Sequence, residues 1–210
     1  KEITKEYIEQ NMPEGTTYIA FPKGVWIETS AFYGCTGLTQ VDITEGVRIR
    51  SYVFQDCTGL TQVDIGAGVE IGSYAFRDCT NLTHVNIAEG VQIGRCAFER
   101  CYGLMQVNIP AEVVIGDYAF WNCFRLTQVN IAAGVQIGYA AFRDCTGLTQ
   151  VDIPDGVRIG QAAFRDCTGL RELVIHKGVT ADRSAFEGCN SLRFIIMPDD
   201  FPRDIFPEEA

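Results

Sequence analysis

Apolar positions along this chain recur every 22 residues. Phenylalanine sets the register at Phe32, Phe54, Phe76, Phe98, Phe120, Phe142, Phe164 and Phe186. Three residues after each comes Cys35, Cys57, Cys79, Cys101, Cys123, Cys145, Cys167 or Cys189. Three further on comes Leu38, Leu60, Leu82, Leu104, Leu126, Leu148, Leu170 or Leu192. The unit reads L-T-Q-V-[DN]-I-x-x-G-V-x-I-G-x-x-A-F-x-x-C-x-x. Three columns held in one register over this many copies define an internal repeat array.

One unit can be read physically. Val151 and Ile153 alternate with Gln150 and Asp152, which is strand periodicity with one buried face. Gly156 turns the chain. Val157 and Ile159 alternate around Arg158 as a second, shorter strand, and Gly160 ends it. Ala163, Phe164 and Cys167 fall at i, i+1 and i+4, a spacing that predicts one helical turn with an apolar inner face. A single unit leaves two open apolar faces and cannot offset its own ordering entropy. Stacked units cover one another, so the array is expected to be a quasi-one-dimensional α/β repeat solenoid with parallel β-sheet and short helical turns. Rungs at ~4.8 Å would make a body roughly 40 Å long.

The L-x-x-L-x-L spacing of Leu148, Val151 and Ile153 is that of a leucine-rich repeat. The G-x-x-A-F-x-x-C segment, as in Gly72-Ser73-Tyr74-Ala75-Phe76-Arg77-Asp78-Cys79, closely resembles the BspA-like (Treponema-type) subclass. The resemblance covers about residues 16–201. It implies a leucine-rich-repeat architecture and a role in adhesion or host-protein binding at a cell surface or after secretion, with a cytoplasmic or host-cytosolic location as the alternative. The family unit is commonly one residue longer, in the short second strand. Three regions are expected: an N-terminal cap over 1–15, an array of about eight units over 16–201, and a C-terminal cap or tail over 202–210. Ile3, Tyr7 and Ile8 lie near one side of an expected short helix from Glu2 to Gln10. Phe201, Ile205 and Phe206 read as a lid over the last rung.

Charge narrows the function classes. The formal net charge is −10, opposed to phosphate-neutralising nucleic-acid binding and to adsorption on an anionic membrane. No apolar run approaches the roughly 18–20 residues that span a bilayer, so direct membrane insertion is not expected. Lys1 to Asn11 is polar and charged, without signal-peptide character.

Eight of the nine cysteines belong to the repeat and read as small buried hydrophobes stacked rung on rung. Parallel side chains suit a disulfide dihedral poorly, and no C-x-x-C pair supports a zinc site. Cys96 is the odd one, in the column of Tyr52, Tyr74 and Tyr118, and is expected to be partly exposed. His84 and His176 lie in different columns without a nucleophile in reach, so no catalytic set is expected and no cofactor is implied. The column Asp42, Asp64, Asn86, Asn108, Asn130, Asp152 lies on the outer strand face. Paired carboxylates such as Asp42 and Asp64 suit Ca²⁺, but solubility and edge protection is the plainer reading. The repeated glycines mark turns, and Glu112 replaces one of them.

In so regular an array, residues that break the consensus are the informative ones. Arg95, Arg100, Tyr102, Trp121, Phe124 and Arg125 cluster in adjacent units and are of the types that dominate interface hot spots. They form the candidate partner-binding patch. Val174, Phe194 and Ile196 put apolar groups where other strands carry Asp, Asn or Gln. They are expected either to lie under the C-terminal tail or to make an end contact, such as end-to-end self-association. The function expected is a non-enzymatic protein–protein interaction module, with a structural scaffold or spacer as the alternative.

Overall fold

The computed structural model describes residues 2–206; Lys1 and residues 207–210, parts of the expected cap and tail, lie outside the described residues. Each repeat contributes one long and one short strand, save the last, whose described residues form only the long one. The long strands are Tyr18–Phe21, Gln40–Ile43, Gln62–Ile65, His84–Ile87, Gln106–Ile109, Gln128–Ile131, Gln150–Ile153, Glu172–Ile175 and Phe194–Ile196. The short strands are Trp26–Ile27, Arg48–Ile49, Glu70–Ile71, Gln92–Ile93, Val114–Ile115, Gln136–Ile137, Arg158–Ile159 and Thr180–Ala181, with Glu2–Ile3 added at the N-terminal end. Pairing is parallel and shifted by one repeat, so Val41 faces Val63 and Ile49 faces Ile71.

The short strands make one nine-stranded sheet. The long strands form sheets of four, two and three strands in a row. Their two seams fall on either side of the pair Gln106–Ile109 and Gln128–Ile131. Ile87 and Ile131, the last residues before each seam, are 7% exposed, against 3% or less for Ile43, Ile65, Ile109 and Ile153.

The core is a set of stacked columns. Phe32 through Phe186 are fully buried, and successive rings from Phe54 onward lie 5.1–5.5 Å apart and nearly parallel. Each buried Phe is worth ~1.5–3 kcal/mol of transfer free energy. That term exists only because the next rung covers the ring.

The segment expected to be a helical turn is instead a succession of tight turns. Tyr52 and Asp56 take left-handed φ values of 61° and 58°. Their N–H groups, and that of Phe54 between them, bond to Ser73, Arg77 and Ala75 carbonyls of the next rung at 2.7–3.0 Å. The alternate residues close i→i−3 turns, Gln55 to Tyr52 and Cys57 to Phe54. An α-helix would have kept these donors within its own segment. Turning every other donor outward carries the sheet-like bonding around the corner of the solenoid. Both conformations place Ala, Phe and Cys inward, so spacing could not separate them.

Glycines serve two purposes. Gly68 and its counterparts take left-handed turns, and Glu112 keeps that conformation at φ 61°. The turn therefore tolerates a side chain, and Pro110 does not reshape it. Gly94 is needed for proximity: a Cβ there would lie 2.5 Å from the Ile71 carbonyl oxygen of the preceding rung.

At the N-terminal end, Glu2–Ile3 is a strand, and the helix is shorter than expected, Lys5–Asn11, capped by the Thr4 hydroxyl accepting from the Tyr7 N–H at 3.1 Å. Ile3, Ile8 and Met12 pack against the core. At the other end Phe201 and Ile205 are buried, and the Phe206 ring lies 5.7 Å from Phe186. This lid does not reach the outer strand face: Phe194 and Ile196 are 66% and 67% exposed, and Val174 is half-buried. Cover by the tail, one of the two expectations for these residues, is thereby corrected. Phe201, Ile205 and Phe206 pack over the open end of the core instead.

Candidate interaction surface

The cysteine column is committed to the fold. All nine cysteines are free thiols. Each column cysteine from Cys57 to Cys189, Cys96 standing outside the column, donates its S–H to the Phe carbonyl 25 residues earlier, at 3.1–3.3 Å. Burial pushes the Cys79, Cys101, Cys145 and Cys167 thiols well up, and Cys57 and Cys123 to about 12. They are poor nucleophiles and poor ligands at neutral pH.

The histidines stay apart. His84 Nδ1 lies 2.8 Å from the Thr83 hydroxyl; His176, about four repeats further along the chain, has its Nε2 2.9 Å from an Asp152 oxygen of the preceding repeat. On the strand face, Asp42 accepts from Tyr18 Oη at 2.7 Å and from Gln40 at 3.0 Å, and Asp64 accepts from Gln62 and Asn86. These carboxylates are engaged by neighbouring donors. Among the described residues, no three His, Cys, Asp or Glu side chains converge as metal ligands.

The consensus-breaking residues resolve into two clusters on successive corners of the same rungs, not one patch. In the first, Arg95 and Trp121 line a cleft of about 320 Å³ with Tyr74, Cys96, Glu99 and Tyr118. Arg77 and Arg143 flank it. Trp121 donates its indole N–H to Asp144 at 2.8 Å and packs 5.5 Å from Tyr118. Tyr118 turns edge-on to Tyr139, and a hydrogen bond between them holds the Tyr118 hydroxyl above its ordinary pKa. In the second cluster Tyr102 and Phe124 lie 4.8 Å apart, and Phe124 and Arg125 are exposed. Arg100 belongs to neither; it pairs with Asp78 at 3.5 Å. The inward-facing Cys101 and Cys123 divide the clusters along the chain.

Cys96 is not partly exposed, as expected from its column, but 4% exposed, because its short side chain sits among Arg95, Tyr74 and Glu99. Glu99, at 3% the only buried charged residue among those described, was missed in the sequence. It is held by Arg77 at 3.4 Å. Its column gave no signal, because Glu187 stands in the same column and is exposed.

Stacked parallel strands, an uninterrupted Leu/Val/Ile/Phe/Cys interior and short connections define a leucine-rich repeat solenoid, a general protein-interaction fold. A family model described as the BspA type leucine rich repeat region (6 copies) matches residues 11–127 and 91–206, and the chain belongs to that family. No match was found among curated proteins. A leucine-rich repeat protein from Bacteroides ovatus ATCC 8483 is 22% identical with a TM-score of 0.54; the match covers 92% of this chain and 64% of that one. This chain thus spans less than two thirds of that protein's length. The T. pallidum leucine rich repeat protein is 24% identical with a TM-score of 0.56, covering 88% of this chain and 79% of that one. Both likenesses are of fold. Among the described residues, no helix is long and apolar enough to cross a membrane.

Proposed function

We propose that the chain is a non-enzymatic protein–protein interaction module whose contact surface is the pair of clusters between Arg95 and Arg125. One observation carries this reading. In an otherwise uniform array, the aromatic and arginine side chains that break the repeat consensus concentrate on two adjacent rungs. Such residues supply most binding energy at interfaces because they bury large areas at little entropic cost. Family membership supports adhesion or host-protein binding, on a cell surface or after secretion. The test is capture of extracellular host proteins by the wild-type chain and by a Trp121→Ser, Phe124→Ser double variant with unchanged circular dichroism. A partner retained by the first and lost by the second supports the assignment. Equal capture by both removes it.

A second reading concerns the C-terminal end. Phe194 and Ile196 are exposed on the last long strand, which among the described residues has a partner strand on one edge only. An open strand edge with apolar neighbours is a template for end-to-end association. Sedimentation velocity on a Phe194→Thr, Ile196→Thr variant should show less self-association than the wild type. Monomeric behaviour of the wild-type chain at high concentration would refute it.

A further inference from the structure

The first cluster contains a gap with a defined shape. Tyr52 and Tyr74 stack face to face, 4.9 Å between centroids and 2° from parallel. The next member of their column is Cys96, so one ring of the ladder is absent before Tyr118. The cleft opens there, floored by Cys96 and Glu99. Arg95 leans over it. Its guanidinium lies 5.4 Å from the Tyr118 ring centre, beside Cys96 and the Tyr74 hydroxyl, which help to hold it charged.

Neighbouring charges are already matched. Arg77 pairs with Asp78 and Glu99, Arg100 with Asp78, and Arg143 with Asp144 and Asp166. Arg95 has no ion pair among the described residues. Part of the guanidinium edge meets Cys96 and the Tyr74 hydroxyl; the remaining N–H groups fit a carboxylate. With Cys in place of Tyr, the space beside it can admit a side chain.

We propose that this gap receives an acidic side chain of a partner protein, an Asp or Glu whose carboxylate pairs with Arg95 while its neighbouring residues pack on Tyr74 and Tyr118. The proposal rests on the interaction-module reading and names the chemistry of its first cluster. The overall charge of −10 selects an isolated acidic residue over an acidic run. At physiological salt the Debye length of ~8 Å screens the distant carboxylates and leaves the local pairing.

The test uses two dipeptides that differ only in charge, N-acetyl-Trp-Glu-amide and N-acetyl-Trp-Gln-amide, titrated into the ¹⁵N-labelled chain. The Glu peptide should shift the Arg95 side-chain N–H and the Arg95 to Glu99 amides, and the Gln peptide should bind roughly fivefold more weakly. Arg95→Ser and Cys96→Tyr each install a residue that sibling repeats carry at that position, so the fold should hold, and both should abolish the difference. Equal binding of the two peptides, or a difference that survives Arg95→Ser, overturns the proposal. So does inorganic phosphate competing as well as the Glu peptide, because the site would then be a general anion site. If the Trp121, Phe124 variant loses its partner while the dipeptides are not distinguished, only this inference falls.

Discussion

The Cys79 thiol donates to the Phe54 carbonyl oxygen at 3.1 Å, one rung below, and that same oxygen accepts the Cys57 backbone N–H at 3.2 Å. Each column phenylalanine carbonyl from Phe32 to Phe164 thus serves the turn of its own rung and the side chain of the next. Cysteine suits the position because it packs as a small hydrophobe and still carries a donor that reaches the neighbour. The next rung repeats the arrangement, Cys101 to Phe76 at 3.3 Å.

Cys79→Ala should destabilise the chain by about 1–3 kcal/mol, read as a lower urea midpoint. The carbonyl keeps its N–H partner, so the lost thiol bond is the smaller part and the cavity the larger. Cys79→Val, which fills the space without a donor, should therefore recover part of the loss. A Val variant less stable than Ala would mean that the column has no room to spare.

The thiols should also set an alkaline limit. An unfolded cysteine titrates near its ordinary value of 9.0, whereas Cys57 and Cys123 are held at about 12. Below the lower value both states keep the proton and stability is complete. As pH rises between the two, only the unfolded chain releases it, so stability falls by about 1.4 kcal/mol per pH unit for each such thiol. Urea midpoints should be flat near neutrality and drop steeply above pH 9. In the native state at pH 8 a thiol reagent should label the half-buried Cys35 first.

Glu112→Gly should stabilise the chain by about 0.5–1 kcal/mol, the ~1–2 kcal/mol left-handed penalty less the extra entropy of glycine when unfolded. Glu112 has φ 61°, and Gly68 and Gly134 in the same turn have 63° and 73°. Thermal denaturation would show it as a higher midpoint; a lower one would mean that the Glu112 side chain makes a contribution of its own.

Phe98→Ala removes a ring from the middle of the ladder, leaving Phe76 and Phe120 without their shared neighbour. It should cost about 3–5 kcal/mol. Because rungs contact only their neighbours, the loss should also uncouple the two halves, visible as a broadened or two-step urea transition.

Tyr18→Phe should raise the Asp42 pKa toward that of an ordinary carboxylate. The Tyr18 hydroxyl is the main group holding it down, ahead of Gln40. A ¹³C-detected carboxylate titration of both forms would measure the change, and an unchanged Asp42 would place the effect elsewhere.

Of the candidate surface, the sequence revealed the members that break a column: Arg95, Arg100, Tyr102, Trp121, Phe124 and Arg125. It did not reveal their grouping. Trp121 and Phe124 are three residues apart yet serve different clusters, because the buried Cys123 lies between them and the chain bends around it. Tyr118 and Tyr74 follow the consensus and gave no signal. They became part of a cleft only because Cys96 left a space between them.

The architecture was legible in the sequence alone, since a strict 22-residue period forces equivalent residues into equivalent environments, and only stacking can bury Phe, Cys and Leu columns together. Tertiary structure decided the rest. The Ala-Phe-x-x-Cys corner became a chain of turns because its N–H groups found acceptors on the next rung, a choice that side-chain spacing does not encode. Likewise Phe194 and Ile196 stayed exposed because Phe201, Ile205 and Phe206 pack on the core instead of the sheet, and a one-dimensional pattern carries no information on where such a segment comes to rest.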